Sequence, residues 1–213
     1  KQVETSEYNP FEAVKTNVLG AQNVIEASLY SNVEKVLAIS TDKASAPTNL
    51  YGATKLVSDK LFISANNYKG NKKIQFSVTR YGNVMGSRGS VIPYFMSQKK
   101  YGTIDITHKD MTRFNIKIEE AVKFIMNNLK KMNGGEIFIP KLHSYTIMDL
   151  KNAISKTAKI NIIGIRPGEK IHEELISEPE SLNALEFSNY FVILPNTSFS
   201  NWNVEKFKLS EIK

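Results

Sequence analysis

The chain has 213 residues, 41% of them hydrophobic, and a net charge of +7 from 28 Lys and Arg against 21 Asp and Glu. That composition supports a buried globular core, and no apolar run reaches the roughly 18 residues needed to span a membrane. With no cysteine, disulfides and thiolate metal sites are excluded, which fits a reducing cytoplasm; His108, His143 and His172 lack paired metal-ligand spacing, so no metal is expected.

Apolar residues at Phe11, Val14, Val18, Ile25 and Leu29 fall at helical spacing and predict a helix that opens at Asn9-Pro10. "KVLAIS", residues 35–40, reads as a strand buried on both faces. A polar stretch follows, and then a helix over 51–66. "IQFSVTRYGNV", 74–84, reads as the next strand and ends in a Gly/Ser-rich loop. Helices are predicted over 91–100, 118–132 and 146–159, with "EIFIP" and "YFVIL" as strands and "IIGIRPGEK" as a strand entering a loop. Helix, strand, polar loop, helix, strand is the rhythm of a parallel α/β sheet, whose ligands bind at the carboxyl ends of its strands.

The polar stretch is "STDKASAPTNLYGATK", residues 40–55. Tyr51 and Lys55 are four apart, so on a helix they share a face, with roughly 6 Å between Cβ atoms. A nearby ammonium favours phenolate and makes a tyrosine able to exchange a proton with a sugar hydroxyl. Spacing alone does not discriminate, because Tyr68 and Lys72 repeat it in a Gly/Asn/Lys turn. Only Tyr51 stands at a helix start just beyond a buried strand. Thr41, Asp42 and Lys43 occupy that strand's carboxyl end. An Asp-Lys pair on a loop is ordinarily only solvated. Here the carboxylic acid can protonate a departing hydroxyl and a partly desolvated lysine can act as base.

The basic excess is mostly lysine spread over helix faces. The arginines, Arg80, Arg88, Arg113 and Arg166, all lie in Gly-, Asn- or Pro-marked polar segments, where a planar fork suits phosphate or carboxylate. This points to local anion recognition, with no aromatic-interleaved basic stripe for nucleic acid.

The segments "STDKASAPTNLYGATKLVSDKLFISANN", "VTRYGNVMGSRGSVIPYF", "MTRF", "GGEIFIP" and "IIGIRPGEKIHEELI" together resemble the nucleotide-sugar 4,6-dehydratases of the extended short-chain dehydrogenase/reductase superfamily. Within it, the chain is most similar to the configuration-inverting UDP-N-acetylglucosamine (UDP-GlcNAc) 4,6-dehydratases of pseudaminic acid synthesis. The resemblance implies an α/β fold with a Rossmann-like parallel sheet and a smaller α/β substrate-binding domain. Residues 1–84 would be part of the NADP-binding domain. Residues 85–213 would be mainly the substrate domain, with some elements returning to the sheet.

It also implies a mechanism. Tyr51, with Lys55 and Thr41, would take the C4 hydroxyl proton as hydride passes to NADP, and Lys55 would contact the nicotinamide ribose. Lys43 would remove the C5 proton and Asp42 would protonate the leaving C6 hydroxyl. Return of hydride to C6 and of a proton to the opposite face of C5 gives UDP-2-acetamido-2,6-dideoxy-β-L-arabino-hex-4-ulose. Asn83, Val84, Arg88, Gly89, Ser90, Thr112, Arg166 and Glu169 would line the UDP-sugar pocket, with Lys1, Thr5 and Tyr8 near substrate or cofactor. A homo-oligomer is expected of the full-length protein.

The sequence holds no G-x-G-x-x-G. In the resembling family that phosphate-binding turn lies in a first half that would precede Lys1. The expectation is that these residues alone bind NADP weakly. The alternatives are another UDP-sugar 4-epimerase, a 5-retaining dehydratase, or a non-catalytic nucleotide-sugar-binding fragment.

Overall fold

The structure is a computed structural model and describes residues 3–195 and residue 205. Lys1 therefore lies outside the described residues. The elements that position the site begin with α1 (Val3–Tyr8) and α2 (Pro10–Val14). A π-helical turn (Lys15–Leu19) joins α2 to α3 (Gly20–Leu29), so the predicted helix is one rod with a widened middle. The expected face is buried in the second half, at Ile25 and the half-buried Leu29, but not in the first, where Ala13 is buried and Phe11 and Val14 face out. The π turn inserts an extra residue and rotates the helical phase between the two halves.

Strands β1 (Lys35–Thr41), β2 (Gln75–Tyr81) and β6 (Ile137–Pro140) run parallel; β10 (Tyr190–Ile193) and β9 (Ala184–Glu186) add antiparallel, giving the order β1-β2-β6-β10-β9. Side chains alternate across this sheet. Phe76, Val78, Ile137 and Ile139 pack with Ile25 of α3 and with Phe62 and Ala65 of α4 (Leu50–Tyr68). Phe138 and Val192 point the other way, against Met132 and the half-buried Phe124 and Leu129 at α6 (Ile118–Lys131). The expectation that β1 is buried on both faces is corrected. Most of its residues are half-buried and Ile39 is 48% exposed, because among the described residues β1 is an edge strand paired only with β2.

The strand predicted over 74–84 is two strands. β2 stops at Tyr81, and β3 (Asn83–Val84) joins β5 (Thr112–Ile116) and β7 (Ser144–Thr146) in a second sheet. The break falls at Gly82, where a Cβ would sit 2.5 Å from Phe114 Cβ, so only glycine lets the chain cross there. A third sheet pairs β4 (Thr103–Ile106) with β8 (Lys159–Ile162) in parallel. Phe95 of α5 (Val91–Lys99), Ile104, Ile106, Met111, Ile147 and Ala158 form a separate core there. The helix predicted over 146–159 ends at Ile154 (α7, Ile147–Ile154), because 155–158 turn into β8. No helix among the described residues is long and apolar enough to cross a membrane.

Candidate active site

The carboxyl end of β1 delivers the polar loop. Thr41 pairs with Tyr81 at the last register position, and a 3-10 turn (Asp42–Ala44) follows at once. Asn49 then caps α4, its Oδ1 accepting the Gly52 amide at 2.8 Å, and fixes Tyr51 in the first turn.

These side chains form a continuous polar chain. The Thr41 hydroxyl lies beside the Tyr51 phenol, where it favours the phenolate, and donates to Asp42 Oδ1 at 2.9 Å. Lys43 Nζ donates to the same Oδ1 at 3.1 Å and lies 3.2 Å from Glu173 Oε1. Asp42 is fully buried and Glu173 nearly so, and one oxygen of each (Oδ2 and Oε2) has no hydrogen-bond partner among the described residues. Such orphaned buried oxygens are costly unless a ligand meets them.

The electrostatics differ from expectation at two positions. Burial pushes the Tyr51 phenol above its ordinary value, against the pull of the Lys43 charge and the Thr41 hydrogen bond. The cation that opposes burial is therefore Lys43, where the spacing pointed to Lys55. Lys55 Nζ instead donates to the Ile39 carbonyl at 2.8 Å, and burial lowers its pKa despite Asp59. For Lys43, burial alone would lower the pKa, but Asp42 and Glu173 outweigh it and hold the ammonium above the ordinary lysine value. A lysine gripped in this way is not a free base at neutral pH.

Lys43 forms part of the wall of a cavity of about 810 Å³, enough for a nucleotide sugar. Of the pocket residues proposed from sequence, Asn83, Gly89, Ser90, Arg166 and Glu169 line it, and Thr5 does too. Val84, Arg88 and Thr112 do not; Thr112 Oγ1 instead meets His172 Nδ1 at 2.8 Å. Ser90 Oγ is buried with no partner among the described residues, while Arg166 Nη1 reaches Glu4 at 2.8 Å and its amide donates to Glu169 Oε2 at 3.2 Å. The loop carrying Arg166 rests on the segment that leads into α4: Asn49 Nδ2 donates to the Gly168 carbonyl at 2.7 Å, and Lys170 Nζ to the Ser45 carbonyl at 2.8 Å.

Two arginines have other roles than the sequence suggested. Arg80 is fully buried in β2, held by Asp59 and by Glu180 at 2.9 Å, and is not placed to meet a ligand. Arg113 lines the cavity and donates to the Ile171 carbonyl at 3.1 Å, pinning the segment that carries Glu173. Sequence reasoning singled out Arg113 only as one of four arginines suited to an anion, without placing it in the pocket, and missed Glu173, at which only the "HEEL" pair, Glu173-Glu174, hinted. Tyr68, the other Tyr-x-x-x-Lys tyrosine, is 56% exposed, and its Lys72 binds the Leu29 carbonyl.

The family described as "Polysaccharide biosynthesis protein" matches residues 1–195. The chain is 54% identical over 201 residues to a UDP-N-acetylglucosamine 4,6-dehydratase (inverting) of Campylobacter jejuni, covering 93% of this chain and 60% of that relative. It is 41% identical over 198 residues to a UDP-glucose 4-epimerase of Rickettsia bellii, covering 91% of this chain and 58% of the relative. The X-ray structure of Pen from Bacillus thuringiensis superposes with a TM-score of 0.89 at 41% identity, over 96% of this chain and 64% of that one. The chain thus spans about three-fifths of the length of the curated relatives it matches. With a parallel Rossmann-like sheet, a polar chain at its carboxyl edge and a family match over 195 of 213 residues, this chain belongs to the polysaccharide biosynthesis family.

Proposed function

We propose that the chain carries the acid–base loop and sugar-nucleotide pocket of an NADP-dependent UDP-GlcNAc 4,6-dehydratase that inverts C5. The observation that carries this reading is the polar run Tyr51–Thr41–Asp42–Lys43, half-buried around a fully buried Asp42, which ends at the cavity wall. A 4-epimerase needs proton exchange at one sugar hydroxyl, which Tyr51 alone can serve. Elimination of water across C5 and C6 needs a further acid and a further base, and Asp42 and Lys43 supply that pair. The 54% identity to an inverting dehydratase supports the same choice over the 41% identity to a 4-epimerase.

Tyr51 and Lys55 are the residues whose chemistry fits the nicotinamide ribose: a phenol and a desolvated ammonium on α4 beside the end of β1. A bound nicotinamide cofactor supplies a hydride acceptor and donor that is regenerated at each turnover. Tyr51 takes the C4 hydroxyl proton, and Thr41 holds the phenol. The resulting ketone acidifies C5–H, which Lys43 removes once its ammonium has given up a proton. Asp42 gives the proton with which the C6 hydroxyl leaves as water. Asn83, Ser90 and Arg166 hold the UDP-sugar, the guanidinium against the diphosphate. The reading extends to a homo-oligomer working in the cytoplasm. NMR of the product formed from UDP-GlcNAc by the full-length protein tests it: the L-arabino 4-keto-6-deoxy sugar is expected. A 5-retained ketosugar or UDP-GalNAc would replace this reading.

A further inference from the structure

The polar chain continues past the residues assigned to the reaction. Glu173 comes from an irregular segment far along the sequence, yet its Oε1 lies 3.2 Å from Lys43 Nζ. It is as deeply buried as a core residue, lines the same cavity, and keeps Oε2 unpartnered among the described residues. Its placement is built: Arg113 and the Thr112 amide both hold the Ile171 carbonyl, two residues earlier, at 3.1 and 3.0 Å. A carboxylate buried this far is tolerated only when paired, and Lys43 is the cation that it meets.

We propose that Glu173 is the positioning residue for Lys43: it fixes the amine at the cavity wall and receives the proton that Lys43 must shed before it can act on substrate. The inference rests on the dehydratase reading for what Lys43 then does. The step is balanced within the pair. One Nζ–H bond breaks, one Oε–H bond forms, ammonium and carboxylate become amine and carboxylic acid, and no other reactant is consumed. Each carboxylate leaves its other oxygen unpartnered among the described residues, but Asp42 Oδ1 accepts from Thr41 as well as from Lys43, whereas Glu173 Oε1 is paired with Lys43 alone among those residues. The groups facing Lys43 are Asp42 on its own turn, Glu173, Arg113 of β5, Tyr51 of α4 and Tyr145 of β7. Of these, Asp42 and Glu173 hold the proton on Lys43 and Arg113 opposes them.

The test compares Glu173→Gln with Glu173→Asp in the full-length protein. Glu173→Gln should lower kcat about tenfold or more with KM nearly unchanged, and should move the ascending limb of the kcat–pH profile to lower pH, because the amine loses an anion that held its proton. Glu173→Asp should restore part of the rate and return the limb toward wild type. Amine labelling of Lys43 without substrate, read by peptide mass spectrometry, should rise about threefold or more at fixed pH in the Gln variant. A wild-type limb and wild-type labelling in Glu173→Gln would overturn the proposal, as would equal losses in both variants with the limb unmoved. The labelling readout separates the two claims. If it rises while the wild-type protein gives no dehydrated sugar, the dehydratase reading falls and the pairing stands; normal dehydration with unchanged labelling does the reverse.

Discussion

The backbone of Gly52 passes so close to Lys43 that a Cβ on it would lie 2.2 Å from the Lys43 carbonyl oxygen. The first turn of α4, which carries Tyr51, is therefore seated directly on the loop that carries Asp42 and Lys43. Gly52→Ala should separate the two. Forcing an extra methyl into so tight a contact costs about 1–3 kcal/mol. The denaturation midpoint should fall accordingly, and turnover should fall by more than stability alone explains. A variant of wild-type activity would show that the spacing of Tyr51 and Lys43 does not matter.

Lys43→Ala should abolish dehydration by about 100-fold or more, the usual worth of a positioned base. UDP affinity, measured by calorimetry, should stay within about threefold, since binding relies on groups farther along the cavity. Undiminished turnover would remove Lys43 from the proton chemistry.

Arg166→Ala should weaken UDP binding by about 1.5 kcal/mol, roughly tenfold, if the guanidinium meets the diphosphate. Arg166 is paired with Glu4 at 2.8 Å, and both side chains are more than a third exposed, so that pair contributes little to stability. Glu4→Gln should therefore leave the fold intact and tighten UDP binding modestly by freeing the guanidinium. Titrations of the two variants should move in opposite directions.

The Arg80 pair predicts an acid-sensitive fold. Burial would raise the Glu180 carboxyl, but the Arg80 hydrogen bonds and charge hold it below its ordinary value. Its contribution is thus present above the unfolded value of 4.5 and is lost as pH falls through the lower folded value. Glu180→Gln should cost about 3 kcal/mol at neutral pH, the scale for breaking a buried pair. The gap from wild type should close in acid, as read from denaturant midpoints at pH 7 and pH 3. Asp59 carries the opposite sign: burial raises its carboxyl despite Arg80 and Ser40, so its protonation relieves a cost.

The site was legible in the sequence where chemistry is local. Thr41 to Lys43 and Tyr51 to Lys55 lie within one strand–turn–helix unit, so their order along the chain already implied their proximity. Glu173 and Arg113 were not legible, because each reaches Lys43 only through the second sheet and the irregular segment after β8. The role of Arg80 was misread although a strand was expected there: the polar marks of "TRYGN" suggested anion recognition, but pairing with β1 puts Arg80 inside the sheet, where its partners are Asp59 and Glu180. Helix phase failed at Phe11 and Val14, since a π turn leaves no mark in hydrophobic spacing. The short strands β4, β5 and β7 lacked the long apolar runs that mark a doubly covered sheet.

Asn49 uses both ends of its side chain: Oδ1 takes the Gly52 amide, and Nδ2 holds the Gly168 carbonyl beside Arg166. A nucleotide that tightens the 166–169 loop must tighten the start of α4 as well. Occupancy and helix order then share one free energy, and deuterium uptake at the Gly52 amide becomes a gauge of UDP binding that needs no turnover.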